Sequence, residues 1–403
     1  MSCSQLVRVL CTQLLVLAVG AGSERELVLC VGMCRNSVGK SLSKQSVILA
    51  LDRGSTRKRE LVAISVRLVA SLSRMVLPWI LGSIFVGLSA LTSPLGVLRL
   101  LVILAKLPWH ASKAVAGFFL APILPSLFMK SVSDDCVVIT GGASGIGKLM
   151  AQRFVQLGTR KIVLIDLNQQ ALEAASKELQ AAASPQQQIA VFTADLSTEA
   201  AASAVMAKVQ AQVGTVTILI NNAGIVTGKN IIDAPAKLMS LTMKVNIEAH
   251  FWTVKAVLPK MMEANHGHII TIASSAGMIG VPGLGDYCAS KHASFGFDES
   301  VRLELRKNNK FGVKTTVVCP FFIKTGLFEG AKSRWPRLLP LLEPEYAADK
   351  IMRAIRCNQS VLLMPLAIHL TPIVRALTPV AVFDEVCSWF GVLETMEDFK
   401  GRA

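Results

Sequence analysis

From Asp135 onward, short runs of β-branched and apolar residues alternate with longer stretches of helical period, and this alternation limits the fold more than any other feature. The runs are CVVIT (136–140), KIVLID (161–166), IAVFTAD (189–195), VTILINN (216–222), HIITIAS (268–274), VKTTVVC (313–319) and VLLMP (361–365). Between them lie stretches such as QQALEAASKELQAAA and EAAASAVMAKVQAQV. Strands apolar on both faces, joined by helical crossovers, predict an α/β fold with a doubly wound parallel sheet of about seven strands.

The first run leads directly into TGGASGIG, Thr140 to Gly147, and a helix opens there. Glycines at 141, 145 and 147 allow a tight turn, and bring backbone N–H groups near a pyrophosphate at the positive end of that helix. Asp166 closes the second run, 19 residues after Gly147. A carboxylate there is placed to accept both ribose hydroxyls of an adenosine and to repel a 2′-phosphate. Ser144 is neutral where a phosphate binder would place a base. NAD is therefore expected over NADP, with Lys148 leaving NADP open. Asp195 in TADLS is expected near the adenine amino group, and Asn222, Ala223 and Gly224 of NNAG under the cofactor. Singly, each of these reads equally well as a turn or helix cap. In this order along one sheet they describe a Rossmann-type dinucleotide site.

The chain has 2 tyrosines, and both carry the same pattern. Tyr287 has Lys291 four residues later and Ser274 thirteen earlier; Tyr346 has Lys350 and Ser333 at the same offsets. Context separates them. Ser274 closes the fifth run, at the sheet edge where ligands bind in open α/β folds, and Tyr287 and Lys291 share one face of the next helix. Ser333 sits in proline-broken KSRWPRLLPLLEP and follows no strand. Tyr287 is the candidate base: a phenol titrates near about 10, and the Lys291 ammonium with a positive nicotinamide would favour its phenolate. Ser274 would hydrogen-bond the substrate oxygen, and Lys291 would also hold the ribose hydroxyls.

These motifs occur in an order that resembles the short-chain dehydrogenase/reductase family: TGGASGIG, NNAG, SSAG, YCASK and the turn after CP, spread over Asp135 to about Leu370. The resemblance implies a fourth catalytic residue at Asn246 in MKVNIEAHF, anchoring a relay water, and cofactor roles for Gly141, Ile146 and Thr325. NNAGIVTGK, HFWTVKAVLP, NHGHI, DYCASK, KTTVVCPFFIKTG and LLPLLEPEYA are similar to a membrane-bound group, the epidermal-type retinol dehydrogenases and the lipid-droplet 17β-hydroxysteroid dehydrogenases. That group implies a lipid-alcohol substrate and an N-terminal anchor in the endoplasmic reticulum. Pro320-Phe321 departs from the family's usual PG and follows the subgroup.

The N-terminal third supplies the anchor. Residues 1–130 hold 15 Lys and Arg against 4 Asp and Glu, and residues 131–403 hold 27 against 23. The 24 residues Met75 to Leu98 are uncharged and flanked by Arg74 and Arg99, enough to cross a bilayer core. A second run, Ala114 to Met129, carries Pro122 and Pro125. Basic residues that alternate with apolar runs and not with a stacking surface make nucleic-acid binding the weaker reading of this charge, and no nucleic-acid partner is expected. Residues 1–74 form a basic extension without clear period; Leu6 to Gly22 resembles a weak signal-peptide core, and Met75 is an alternative start. The 9 cysteines show no CxxC pair and read as reduced thiols facing the cytosol. HGH at 266–268 makes a poor chelate, so no metal is expected.

Four segments result: extension 1–74, anchor 75–130, dinucleotide domain 131–370, and an apolar lid or membrane-surface segment 371–403, with Trp335 and Arg337 at the interface. The expected activity is NAD-dependent oxidation of a lipid alcohol, all-trans-retinol to retinal first and a 17β-hydroxysteroid second. The expected partners are that apolar alcohol or carbonyl, a membrane of the endoplasmic reticulum or a lipid droplet, and a second copy of the chain. Two alternatives remain. One is a non-catalytic membrane scaffold; the other is a sugar-nucleotide epimerase, against which the glycine spacing GxxxGxG counts.

Overall fold

The computed structural model describes residues 129–401. Seven parallel strands form one sheet in the order β3-β2-β1-β4-β5-β6-β7. They are β1 (Cys136–Thr140), β2 (Lys161–Asp166), β3 (Gln188–Thr193), β4 (Ile218–Asn221), β5 (Gly267–Ile272), β6 (Val313–Pro320) and β7 (Val361–Met364). The order reverses between β1 and β4, so the crossovers after these strands leave in opposite directions. A crevice opens there at the carboxyl ends.

Alternate residues of each strand face opposite sides. Val137, Ile139, Ile162 and Leu164 meet Met150 and Phe154 of α1 (Gly145–Gln156), Leu172 and Leu179 of α2 (Gln169–Ala182), and Ile351 and Ile355 near the domain's end. Val138, Val163, Ile165 and Leu219 meet Val205 and Val209 of α3 (Glu199–Gln212) on the other side. Because both faces are covered, β1, β4 and β5 are buried throughout, which explains why they read as unbroken apolar runs. The caps are local: the Asn168 side chain accepts from the Ala171 N–H at 3.0 Å, and Thr198 from that of Ala201 at 3.4 Å.

After α4 (Ala236–Met243) the helix widens into a π turn, Lys244–Glu248, before resuming as α5 (Ala249–Ala264). The long α6 (Gly285–Lys307) precedes β6, α7 (Pro344–Arg356) precedes β7, and α8 (Leu370–Leu377) and α9 (Val380–Trp389) end the domain.

Two strands end two residues earlier than the sequence indicates, and the fourth and seventh one residue earlier. The third leaves its ladder at Thr193, placing Asp195 in the following loop. The fifth ends at Ile272, because the Ala273 N–H turns back to the Thr271 carbonyl at 3.1 Å. The membrane runs from Met75 to Leu98 and from Ala114 into Met129 lie outside the described residues but for Met129 itself, as does the extension 1–74. Among the described residues no helix is long and apolar enough to cross a membrane.

Candidate active site

The crevice at the carboxyl edge holds a cavity of about 900 Å³. Its walls bring together Gly141, Ser144, Gly145, Ile146, Asp166, Asp195, Asn222, Ala223, Gly224, Ser274, Tyr287, Lys291 and Thr325. Two further candidates, Gly147 and Asn246, stand behind the wall.

The glycine loop is built by close approach. Gly141 has φ +62°, and a Cβ on it would fall 2.9 Å from Ala223 Cα. A Cβ on Gly147 would meet the Gly141 carbonyl oxygen at 2.2 Å. Gly147 therefore acts by letting α1 press against the loop. Thr140 and Asn222 stitch this loop to the end of β4. The Thr140 hydroxyl accepts from the N–H groups of Asn222 (2.9 Å) and Ala223 (3.0 Å), while the Asn222 amide donates to the carbonyls of Thr140 and Gly141. Thr325 reaches the loop from the segment after β6, its Cγ2 lying 3.8 Å from the Cβ position of Gly145.

Asp166 is held at the end of β2. Its two carboxylate oxygens accept from the Ala143 and Asn168 N–H groups, each at 3.1 Å. Each oxygen keeps acceptor capacity toward the cavity. Lys148, the residue that leaves a 2′-phosphate open, is instead paired with Glu178 at 2.9 Å. The Asp195 carboxylate accepts from the Ser197 N–H at 2.9 Å.

Ser274 follows β5 and caps a short 3₁₀ turn, its hydroxyl accepting from the Ala276 N–H at 3.1 Å. Tyr287 and Lys291 stand one turn apart on α6, both buried. The Lys291 ammonium donates to the Ile272 carbonyl at 2.8 Å and lies 5.5 Å from the Tyr287 ring centroid. Burial pushes the phenol well above its ordinary value, and the hydrogen bond with Ser274 opposes that rise. Burial also lowers Lys291 to about 8. In the protein alone, burial thus disfavours the charged form of both groups; the expected phenolate depends on the nicotinamide charge as well as on Lys291.

Asn246 lies in the π turn, where the extra residue turns its side chain to the loop after β4. Its carboxamide accepts from the Ile225 N–H (2.8 Å) and donates to the Ile225 carbonyl and the Ser290 hydroxyl (both 3.0 Å). Both amide hydrogens are thus engaged by protein. What remains for a water is its backbone carbonyl, toward which Ser294 donates at 3.1 Å.

The second serine–tyrosine–lysine set does not converge. The Ser333 hydroxyl donates to the Leu339 carbonyl at 2.6 Å, and Tyr346 is 45% exposed on the first turn of α7. Among the described residues no His, Cys, Asp and Glu cluster can hold a metal. His268 is instead buried between Lys130 and the Thr316 hydroxyl.

Several lining residues escape sequence reasoning. Phe322 and Phe328 pack edge-to-face at 5.0 Å, and Phe328 lies 5.4 Å from Tyr287. Val392 and Thr395 reach the cavity from the C-terminal segment, and Met396 joins the cluster around Tyr287. These last three lie in the segment 371–403 read from the sequence as an apolar lid, but no local pattern singles them out within it.

The short chain dehydrogenase profile matches residues 135–334. Epidermal retinol dehydrogenase 2 of Mus musculus is 44% identical over 273 residues, covering 68% of this chain and 87% of the relative. Retinol dehydrogenase 10-B of Danio rerio is 38% identical over 300 residues, covering 70% and 88%. Among solved structures, a short chain dehydrogenase/reductase from Burkholderia phymatum in complex with NAD superposes with a TM-score of 0.55 at 27% identity, covering 62% of this chain and 95% of that one. With the strand order, the glycine loop and the matched motifs, these similarities show that the chain belongs to the short-chain dehydrogenase family.

Proposed function

We propose that the protein is a membrane-anchored, NAD-preferring oxidoreductase of apolar alcohols, with all-trans-retinol to retinal as its leading reaction. One observation carries the reading: a buried Ser274–Tyr287–Lys291 set opens on the same cavity as the glycine loop and Asp166.

The residues fit a dinucleotide. Gly141, Gly145 and the first N–H groups of α1 suit a pyrophosphate, and Asp166 suits a ribose diol. The pairing of Lys148 with Glu178 removes the nearest candidate for a 2′-phosphate and supports NAD. When bound, the nicotinamide supplies the hydride acceptor. Ser274 then orients the alcohol oxygen and Tyr287 takes its proton. Lys291 stabilises the phenolate as long as it stays protonated. Asn246 holds the loop of Ile225 in place through its amide. In the opposite direction Tyr287 donates the proton to a carbonyl.

The substrate end is apolar. Val281, Leu284, Phe321, Phe322, Leu327 and Phe328 line it, which favours a retinoid or another lipid alcohol over a sugar or an amino alcohol. The retinol dehydrogenase relatives support the retinoid; a 17β-hydroxysteroid is the second substrate to test. Residues 371–403 are read as a lid and membrane-surface segment. Leu366, Leu370, Ile373 and Leu377, at and just before the start of this segment, are 53–79% exposed at helical spacing, and Trp335 lies 4.9 Å from Trp389. Such a stripe suits the headgroup boundary of a bilayer. Together with the hydrophobic run from Met75 to Leu98 it supports residence on the endoplasmic reticulum or a lipid droplet.

Membranes carrying the full chain are expected to form NADH with an apolar alcohol, and Tyr287→Phe to abolish turnover without releasing the protein from the membrane. Absence of turnover in a folded, cofactor-binding protein would instead favour a scaffold and withdraw the retinol assignment.

A further inference from the structure

His250 is 2% exposed in α5, and neither of its ring nitrogens has a hydrogen-bond partner among the described residues. An imidazole buried in this way is costly, since one nitrogen must donate and the other accept. A second orphan stands nearby in the chain's path. Asn221, 1% exposed at the end of β4, shares its Oδ1 with the Thr253 hydroxyl at 2.8 Å and leaves its amide nitrogen unpartnered. Thr253 also reaches the Ala249 carbonyl at 2.9 Å. If its single proton goes there, the amide turns over and Oδ1 becomes the orphan, so one polar atom of Asn221 is unpaired in either orientation.

The helix places these groups together. Asn246, His250 and Thr253 follow one another at spacings of four and three, one stripe of a helical surface. Asn246 grips Ile225, and Thr253 grips Asn221. His250 therefore falls between them, facing the stretch from Asn221 to Ile225. Across from it is α6, whose Lys291 Nζ lies 3.7 Å from the Cβ position of Gly224 in that same stretch; burial first, and the Lys291 charge second, hold the imidazole down to about 3. Lys291 itself faces Tyr287 on its own helix and the buried Cys319 thiol on β6. One of its ammonium protons goes to Ile272. The ammonium carries three.

We propose that His250 and Asn221 hold a buried water against the Lys291 ammonium, which makes His250 a positioning residue for the Tyr287–Lys291 pair. A buried water needs two to four polar partners, and an imidazole nitrogen, an amide and an ammonium meet that requirement. A neutral imidazole offers this water an acceptor without placing a second charge beside the lysine. The arrangement favours the protonated lysine, the form that supports a phenolate on Tyr287. The proposal rests on the oxidoreductase reading for its kinetic consequence and on geometry alone for the water.

The test compares the alkaline limb of kcat for alcohol oxidation in the wild-type full chain, His250→Leu and His250→Gln, with Tyr287→Phe alongside. Activity is lost as pH rises through the lysine's titration. Removing the water's acceptor should therefore move that limb down by about one pH unit in His250→Leu. His250→Gln, which keeps a donor and an acceptor, should restore it. An unmoved limb in a folded His250→Leu protein, or equal shifts in both variants, would overturn the proposal. If wild type turns over no alcohol, or Tyr287→Phe retains full activity, the failure lies with the oxidoreductase reading. A crystal structure that resolves ordered water decides the site independently of any variant. Water within about 3.2 Å of a His250 ring nitrogen supports it, and a dry site refutes it.

Discussion

Lys291 lies 5.5 Å from the ring centroid of Tyr287, and Lys350 lies 5.3 Å from that of Tyr346. The helix repeat alone produces both pairs. Their surroundings differ: Tyr287 is 4% exposed at the cavity, Tyr346 45% exposed on the first turn of α7. Tyr287→Phe is expected to lower kcat by about 10²–10⁴-fold, the usual contribution of a positioned acid or base. Tyr346→Phe should stay within twofold of wild type. Initial rates on the two variants, at matched protein and cofactor, check this.

The sheet, and the placing of the glycine loop, Asp166 and Tyr287 at one sheet edge, were legible in the sequence because each rests on local order: a strand, then its turn, then its helix. What was not legible depends on long-range burial. The period of the chain around Asn246 is helical, so nothing announces the π turn that aims its amide at Ile225. Charge counting around Tyr287 favours a phenolate, whereas the enclosure of the site raises the phenol. His250 reads as one more residue on a helix until its burial and its unpartnered nitrogens are seen.

Lys291 is expected to be costly to the fold. Its folded value of about 8 lies below the ordinary 10.5, so below pH 8 the native state carries a buried ammonium, and stability rises between pH 8 and 10.5 as the native state sheds its proton first. The shift corresponds to about 3 kcal/mol, and the lost hydrogen bond to Ile272 offsets about 1 kcal/mol. Lys291→Met should therefore abolish turnover and raise stability at pH 7 by about 2 kcal/mol. Thermal unfolding at pH 7 and pH 10 should show this advantage shrinking at the higher pH.

Asp166→Asn retains an acceptor for the Ala143 N–H and removes the charge that opposes a 2′-phosphate. The ratio of kcat/KM for NAD over NADP should fall by about 10- to 100-fold, with most of the change in KM. An unchanged ratio would mean that Asp166 does not face the ribose.

Asp298, 2% exposed on α6, is raised to about 7 by burial, against the pull of its hydrogen bonds, including one from the Thr271 hydroxyl at 3.1 Å. Between the unfolded carboxyl value of 3.8 and about 7 the native state keeps a proton that the unfolded chain has lost. Stability contributed by this group therefore falls as pH rises through that window. Asp298→Asn should be more stable than wild type by roughly 2–4 kcal/mol at pH 8 and nearly equal to it at pH 4. Unfolding curves at the two pH values measure the difference directly.

The central claim is that the apolar cavity serves a lipid alcohol and the Asp166 end serves NAD. Its most direct test is the initial rate of cofactor reduction by membranes containing the full chain, with all-trans-retinol, a 17β-hydroxysteroid and a long-chain alkanol each offered under NAD and under NADP. The account predicts the highest kcat/KM for retinol with NAD. Faster turnover with NADP, or no turnover of any of the three by a folded protein that binds cofactor, would contradict it.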